Sequence, residues 1–253
     1  MVPSSTSRAP SSPSRSRALP PQEVNVWRQV VARDWKKLQR APPSLHADRR
    51  LVWEAQQQDY RALQYAAEEL RADKEFMLQA VRHDGRALSL VAQELRLDRE
   101  VVLEAVRDCG LALGSVPAHL PAGKLLRGDR EIVLEAIRQD WRALDLATSE
   151  LRGDRDLSLE AIAQSWQAIE FVSEELRGDR EVLLAAIDQS GEALRYASET
   201  MRSDPELVRK AQERGWGVVT EGNECLVHND DTKPAGVISP PSSGPSYEMF
   251  AFG

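Results

Sequence analysis

Asp129-Arg-Glu-Ile-Val-Leu-Glu-Ala-Ile137 decides the fold, because the chain says it again and again. Asp73-Lys-Glu-Phe-Met-Leu-Gln-Ala-Val81 and Asp179-Arg-Glu-Val-Leu-Leu-Ala-Ala-Ile187 are the same phrase with small exchanges. The leading aspartate recurs at 48, 73, 98, 129, 154, 179 and 204, at spacings of 25, 25, 31, 25, 25 and 25 residues. The second half of each period repeats as well: Tyr60-Arg-Ala-Leu, Gly85-Arg-Ala-Leu and Trp141-Arg-Ala-Leu, then Glu-Leu-Arg at 69–71, 94–96, 150–152 and 175–177. A fixed period of this length is the signature of stacked units, each too small to bury its apolar face alone.

Numbering each unit from its aspartate, apolar residues fall at positions 4, 5, 8 and 9, as in Ile132, Val133, Ala136 and Ile137. That spacing predicts a helix. The aspartate is its N-cap, and the acid two residues on suits the helix dipole. A second cap stands at position 12, as Asp34, Asp59, Asp84, Asp140, Ser165 or Ser190. Apolar residues at 15, 16, 19 and 23, such as Ala143, Leu144, Ala147 and Leu151, then predict a second helix. Gly128, Gly153 and Gly178 stand where a left-handed C-cap would close it. Leu134 and Leu184 are expected in the core.

The reading is therefore all-α: a solenoid-like array of short 25-residue helix-turn-helix repeats over 23–219. Its units lie near 23–47, 48–72, 73–97, 98–128, 129–153, 154–178, 179–203 and 204–219. The first is degenerate, its second helix expected to be spoiled by Pro42-Pro43. The central unit runs to 31 residues, with Pro117 and an inserted Pro121-Ala-Gly-Lys124. A loop is expected there, and an insertion in one repeat maps to one face of a solenoid, often the binding face. Beyond the array, Val218-Val-Thr and Cys225-Leu-Val flank Glu-Gly-Asn-Glu and suggest a small hairpin, so 220–253 reads as hairpin then disordered tail.

Composition narrows the function. The chain carries a net charge of −7, but residues 1–47 hold eight Lys/Arg against two acids. Residues 48–203 hold 21 Lys/Arg against 30 Asp/Glu, net −9, which argues against nucleic acid as the partner. Residues 1–22 contain seven Ser, five Pro and three Arg and read as a disordered tail. An organelle transit peptide is the alternative reading of that segment, and it would move the expected cytoplasmic location to an organelle. No apolar run is long enough to span a membrane. Two cysteines exclude a disulfide-rich scaffold. The far tail, 233–253, holds four Pro and four Ser, and its Tyr247-Glu-Met-Phe250 could serve as a docking motif.

Glu-Leu-Arg-x-Asp-Arg-Glu-Val-Val-Leu-Glu-Ala-Val, seen best at 94–106, and the Trp-x-Ala phrase at 166–176 resemble the family called domain of unknown function 4116. The resemblance covers roughly 48–216 and implies helical tandem repeats with no activity or catalytic residues to carry over. The insertion at 117–124 departs from that family's spacing.

Two rows of residues are candidate sites. Position 13 holds Trp35, Tyr60, Trp141, Trp166 and Trp216, alternating with Gly85, Gly110 and Gly191. Same-register aromatics on stacked repeats form either a partner-binding stripe or packing over the turn between helices. Arg71, Arg96, Arg152, Arg177 and Arg202 are either an anion-binding row or inter-repeat ion pairs with the next unit's acids. Pro117, Pro121 and Lys124 mark the possible binding loop. The histidines are His46, His83, His119 and His228; only His228, near Cys225, Asp230 and Asp231, has company, and that group lacks zinc spacing. No metal, cofactor or catalytic set is assigned. Residual enzymatic chemistry would centre on Cys109 with His119. The expected function is a non-enzymatic protein–protein interaction or scaffold module with unnamed protein partners. RNA binding or a regulatory subunit of a larger assembly are the alternatives.

Overall fold

The structure, a computed structural model, describes residues 19–217 and the backbone of 219–221 and 224–226. The rest of both expected tails lies outside those residues, as do His228, Asp230, Asp231, Tyr247 and Phe250. Two compact units divide the chain, one ending at Trp216 and one beginning at Gly217.

The first unit is the repeat array, and its seven aspartates occupy equivalent corners. Asp48, Asp98, Asp129, Asp154, Asp179 and Asp204 each accept from the backbone N–H groups two and three residues on, and Asp73 accepts from Phe76. These are donors that a helix start leaves orphaned. The capped helices are Arg49–Gln56, Lys74–His83, Arg99–Asp108, Arg130–Gln139, Arg155–Gln164, Arg180–Ile187 and Pro205–Glu213. Helix Pro21–Arg33 precedes them. It starts inside the segment expected to be a tail, since Pro21 at the first helical position has its φ preset and no N–H to lose.

One continuous core runs through the array. Ile132, Val133, Ala136, Ile137, Ala143 and Leu144 are buried, as are their counterparts in neighbouring units. Each large side chain so buried stabilises by about 1.5–3 kcal/mol. Leu134 and Leu184, expected inside, are only half-buried, because position 6 lies at the margin of the apolar face.

The second half of the unit differs from expectation. After the position-12 cap the chain forms a six-residue 3-10 helix, not an α-helix: Tyr60–Tyr65, Gly85–Leu90, Gly110–Ser115, Trp141–Leu146 and Gly191–Tyr196. It then extends, as at Ala66 with φ −67° and ψ 145°, and closes on a third short turn such as Glu68–Arg71 or Ser149–Arg152. In five units a bond to the preceding unit fixes this arrangement. The N–H groups of Ala67, Ala92, Thr148, Ser173 and Ser198 donate to the carbonyls of His46, Arg71, Arg127, Arg152 and Arg177 in the preceding unit, at 2.8–3.1 Å. A helix running through that position would tie the N–H within itself, so the chain winds tightly and stops short.

Proline explains two exceptions. Pro117 stands in the Ala67 register and has no N–H, so the Arg96 carbonyl lacks this rung. Pro42 shares that register in the first unit, where no described unit precedes it to be reached. Hence Pro42-Pro43 spoils nothing: the 3-10 helix Trp35–Arg40 is intact and Pro43–Leu45 forms the third turn.

The expected left-handed glycines are not left-handed. Gly128 has φ −101° and Gly153 φ −94°, and Gly178 is absent from the positive-φ positions. Ala72 and Ser203 adopt the same conformation, at φ −94° and −95°, so the position makes no demand for glycine. Among the described residues the left-handed cap occurs at Gly215, φ +89°, where the Trp216 N–H reaches the Ala211 carbonyl and the Gly215 N–H that of Gln212. In the second unit Val219–Glu221 and Glu224–Leu226 pair antiparallel, with Thr220 opposite Cys225.

Candidate functional site

The position-13 edge is where the repeats put their aromatics. Trp35, Tyr60, Trp141, Trp166 and Trp216 are half-buried and rest against the core. Three of them meet an aromatic at position 18 of the following unit: Trp35–Tyr65 at 6.4 Å, Trp141–Phe171 at 5.9 Å and Trp166–Tyr196 at 6.4 Å between centroids. Where position 13 is glycine the backbone closes instead on the next helix. A Cβ on Gly85, Gly110 or Gly191 would lie 2.1–2.2 Å from the carbonyl of Ala105, Ala136 or Ala211.

A clamp missed by the sequence reading fixes this edge. The Gln58 Nε2 donates to the Val31 carbonyl at 2.8 Å, while its Oε1 accepts from the Trp35 N–H at 3.2 Å. Gln189 does the same to Ile162 and Trp166. Gln164 donates to the Ile137 carbonyl at 2.5 Å. The signal was present: glutamine recurs one residue before the second cap at 58, 139, 164 and 189.

Position 14 distinguishes two stretches of the edge. In the first, the Arg61 guanidinium stands 5.8 Å from the Trp35 ring and Arg86 stands 4.7 Å from that of Tyr60. Each arginine is anchored to its own unit's cap, Arg61–Asp59 at 2.6 Å and Arg86–Asp84 at 2.7 Å. The Arg61 hydrogen bond holds the Asp59 carboxyl below its ordinary value. Further along, the same register holds Gln167 beside Trp141 and Glu192 beside Trp166. A cleft of about 350 Å³ in the first stretch is lined by Gln56, Tyr60, Arg61, His83 and Arg86 among others. Gln56 is buried at a position that is Val or Ile in six of the other units, and its Nε2 donates to the Ala80 carbonyl.

The inter-repeat ion pairs exist, but other residues make them. The cation at position 2 pairs with the next unit's cap: Arg49–Asp73 at 2.6 Å, Lys74–Asp98 at 2.8 Å, Arg99–Asp129 at 2.7 Å and Arg130–Asp154 at 3.0 Å, continuing through Arg155–Asp179 and Arg180–Asp204. The acid at position 3 joins most rungs, as Glu131 does for Arg99 and Glu181 for Arg155. The Arg99 hydrogen bond lowers the pKa of Asp129 against the opposing effect of burial. Arg71, Arg96, Arg152 and Arg177, expected in this role, instead tuck a buried, unpartnered Nε against the array. The Arg96 guanidinium reaches the Ser115 carbonyl, and Arg127 in the same register reaches those of Val116, Gly114 and Leu146. Burial lowers the pKa of Arg127. At position 24 the side chains of Arg96 and Arg127 thus meet the carbonyl ends of the 3-10 helices rather than the acids. Arg202 is exposed.

The insertion is not a loop. After a turn at 117–120, Pro121–Arg127 is an α-helix. Pro121 opens it and Lys124 is exposed on it, while Pro117 is half-buried at the turn. A Cβ on Gly123 would lie 1.9 Å from the Pro117 carbonyl, so this glycine seats the helix on the turn. Leu125 is 76% exposed on its outer side. Cys109 is a free thiol whose side chain makes no cap bond, and His119 is exposed. Among the described residues no cluster of His, Cys, Asp and Glu is arranged to hold a metal ion, and no helix is long and apolar enough to cross a membrane.

A family model described as Domain of unknown function (DUF4116) matches residues 73–120, 129–177 and 179–214, together more than half of the chain. The matches stop at 120 and resume at 129, leaving the inserted helix between them. No curated protein and no solved structure matches the chain.

Proposed function

The chain belongs to the family described as Domain of unknown function (DUF4116), and on that premise we propose that it is a non-enzymatic protein–protein interaction or scaffold module, working in the cytoplasm. The observation that carries this reading is the repetition of one junction. Caps, ion pairs and the hydrogen bonds that position 20, the Ala67 register, donates to the preceding unit recur along the array and hold the same edges in register. Stacked repeats of this kind offer an extended surface on which a partner is gripped at several equivalent points. Chemistry, by contrast, needs groups that break the symmetry and converge. The carboxylates here recur in every unit as caps, already engaged by backbone N–H groups and cations.

The test is chemical crosslinking of the tagged full-length chain in native lysate, followed by capture and mass spectrometry. Reproducible protein partners whose crosslinks map to the array support the reading. Capture of RNA alone, resistant to nuclease only where the chain shields it, would overturn it in favour of a nucleic-acid binder. Recovery of no partner at low salt would overturn it too.

A further inference from the structure

The first stretch of the aromatic edge is a template for what the second stretch lacks. At Trp35 four groups meet: the ring, the Tyr65 ring 6.4 Å away, the Arg61 guanidinium 5.8 Å from the Trp35 centroid and the Lys36 ammonium 6.0 Å from it. Tyr60 is likewise covered by Arg86 from the following unit. A guanidinium in this place is attracted to the negative face of the ring and is charge-paired from the side. Trp166 has the matching neighbour, Tyr196 at 6.4 Å, and its N–H is clamped by Gln189 at 2.9 Å, as that of Trp35 is by Gln58. Ring, neighbouring ring and glutamine clamp are the same, and the charged residues around them differ. Where Arg61 stands over Trp35, the register puts an exposed carboxylate, Glu192. At Trp141, stacked on Phe171, the register puts Gln167. The nearby cation Arg195 stands over Tyr196, 6.0 Å from its centroid, and is engaged there.

Glu170, exposed beside Phe171, adds to the negative charge of this stretch. The anchoring caps have changed in step: Asp59 and Asp84, which hold the intramolecular arginines, are replaced by Ser165 and Ser190. The Asp140–Arg142 pair that flanks Trp141 is kept at 2.5 Å, but at positions 12 and 14 of the Asp154 and Asp179 units both the cation and the anion are lost. In their place stand a hydroxyl and, beside Trp166, a carboxylate.

Resting on the interaction-module reading, we infer that the Trp141–Trp166 edge is the docking site for an arginine-bearing segment of a protein partner. A partner guanidinium takes over Trp166 the place that Arg61 takes over Trp35, and Glu192 receives its N–H groups from the side. Trp141, one repeat earlier, provides a second ring for a neighbouring cationic or planar side chain.

The experiment is titration of the full-length chain with a synthetic Gly/Ser peptide carrying two arginines, followed by tryptophan fluorescence and calorimetry. The control is the same peptide with citrulline, which keeps the shape of arginine and removes its charge. Binding of the arginine peptide and at least about tenfold weaker binding of the citrulline peptide is the expected result, in line with the worth of a desolvated cation–π contact plus an ion pair. Glu192→Arg, paired with Gln167→Arg, fills the site from within as the first stretch is filled. It is expected to keep the helical far-UV spectrum and to reduce arginine-peptide affinity at least about tenfold. Equal affinity for the citrulline peptide, or affinity unchanged in Glu192→Arg, overturns the assignment. A crosslinked protein partner retained undiminished by the double variant also overturns it, while leaving the broader interaction-module reading standing.

Discussion

The regular junctions and the two that flank the lengthened Asp98 unit are held differently. At the caps nothing changes: Lys74 reaches Asp98, and Arg99 still reaches Asp129 and Glu131, across 30 and 32 residues instead of the usual 24 and 26. The backbone rung from this unit back to the Arg96 carbonyl is gone, because Pro117 has no N–H, while the next rung, from the Thr148 N–H to the Arg127 carbonyl at 3.1 Å, is kept across the six-residue excess wound into Pro121–Arg127. Across the gap the Arg96 guanidinium reaches the Ser115 carbonyl, and Arg127 ties the lengthened unit to itself and to the next by donating to the Val116, Gly114 and Leu146 carbonyls. The difference shows which contacts define the repeat. Cap, ion pair and core are kept when the unit is lengthened, and the position-20 bond is what the insertion gives up.

That contrast can be broken most forcefully through the core, which should not respect it. Leu113→Ala in the irregular unit and Leu144→Ala in a regular one both delete a fully buried side chain. Each should cost about 2–5 kcal/mol in chemical denaturation, while Leu134→Ala, half-buried, should cost clearly less. A Leu113→Ala cost far below that of Leu144→Ala would mean that the central junction is loosely packed.

The next largest effect sharpens the contrast. Gly123→Ala forces a Cβ to within 1.9 Å of the Pro117 carbonyl. It should destabilise by about 1–3 kcal/mol through overpacking. Gly128→Ala, in the conformation that Ala72 already adopts, should be nearly neutral. Thermal unfolding of the two variants side by side checks this.

Caps come next. Asp179→Ala removes a side chain that accepts from two backbone N–H groups and should cost about 0.5–2 kcal/mol, equally with Asp129→Ala if the corners are equivalent. The same carboxylates set the acid limit. Asp129 and Asp140 are held below 3.8 chiefly by Arg99 and Arg142. For Asp154 burial pushes upward, but the Leu157 N–H and Arg130 outweigh it. These groups ionise more easily folded than unfolded, so their contribution is complete above the unfolded value of 3.8 and is lost as pH falls through the lower folded values. Denaturant midpoints should therefore hold down to that value and decline steeply below it; stability that instead rose on acidification there would contradict the assigned direction.

Smallest are the exposed rungs. Arg130→Gln should cost about 0–1 kcal/mol, less in high salt. Lys74→Gln should cost somewhat more, because the junction it spans with Asp98 lacks the backbone bond.

Much of this was legible. The aspartate register, both caps and the buried set at positions 4, 5, 8, 9, 15 and 16 follow from local chemistry and period, and Asp129, Ile137 and Leu144 stand where that reasoning puts them. What escaped depends on neighbours. The 3-10 winding of Trp141–Leu146 answers to a hydrogen bond between Thr148 and the previous unit. Arg130 rather than Arg152 forms the ion pair because of which side of the unit faces the next cap, a matter of geometry in three dimensions. Gly153 resembles a left-handed stop in one dimension, yet the bond from the Ser173 N–H to the Arg152 carbonyl holds the third turn without one. The candidate edge was found as a row of aromatics, and its division into two stretches of different charge needed the ring–guanidinium geometry.

The position-2 cation reaching forward to the next cap makes every regular unit both plug and socket. A gene segment of 25 codons copied in frame would encode a module that mates with its neighbours on both sides without further change. The unit beginning at Asp204 breaks that rule, since Pro205 stands where the plug should be. Lengthening by duplication is thus open upstream of Asp204, and a copy spliced after it would meet a socket with nothing to fill it.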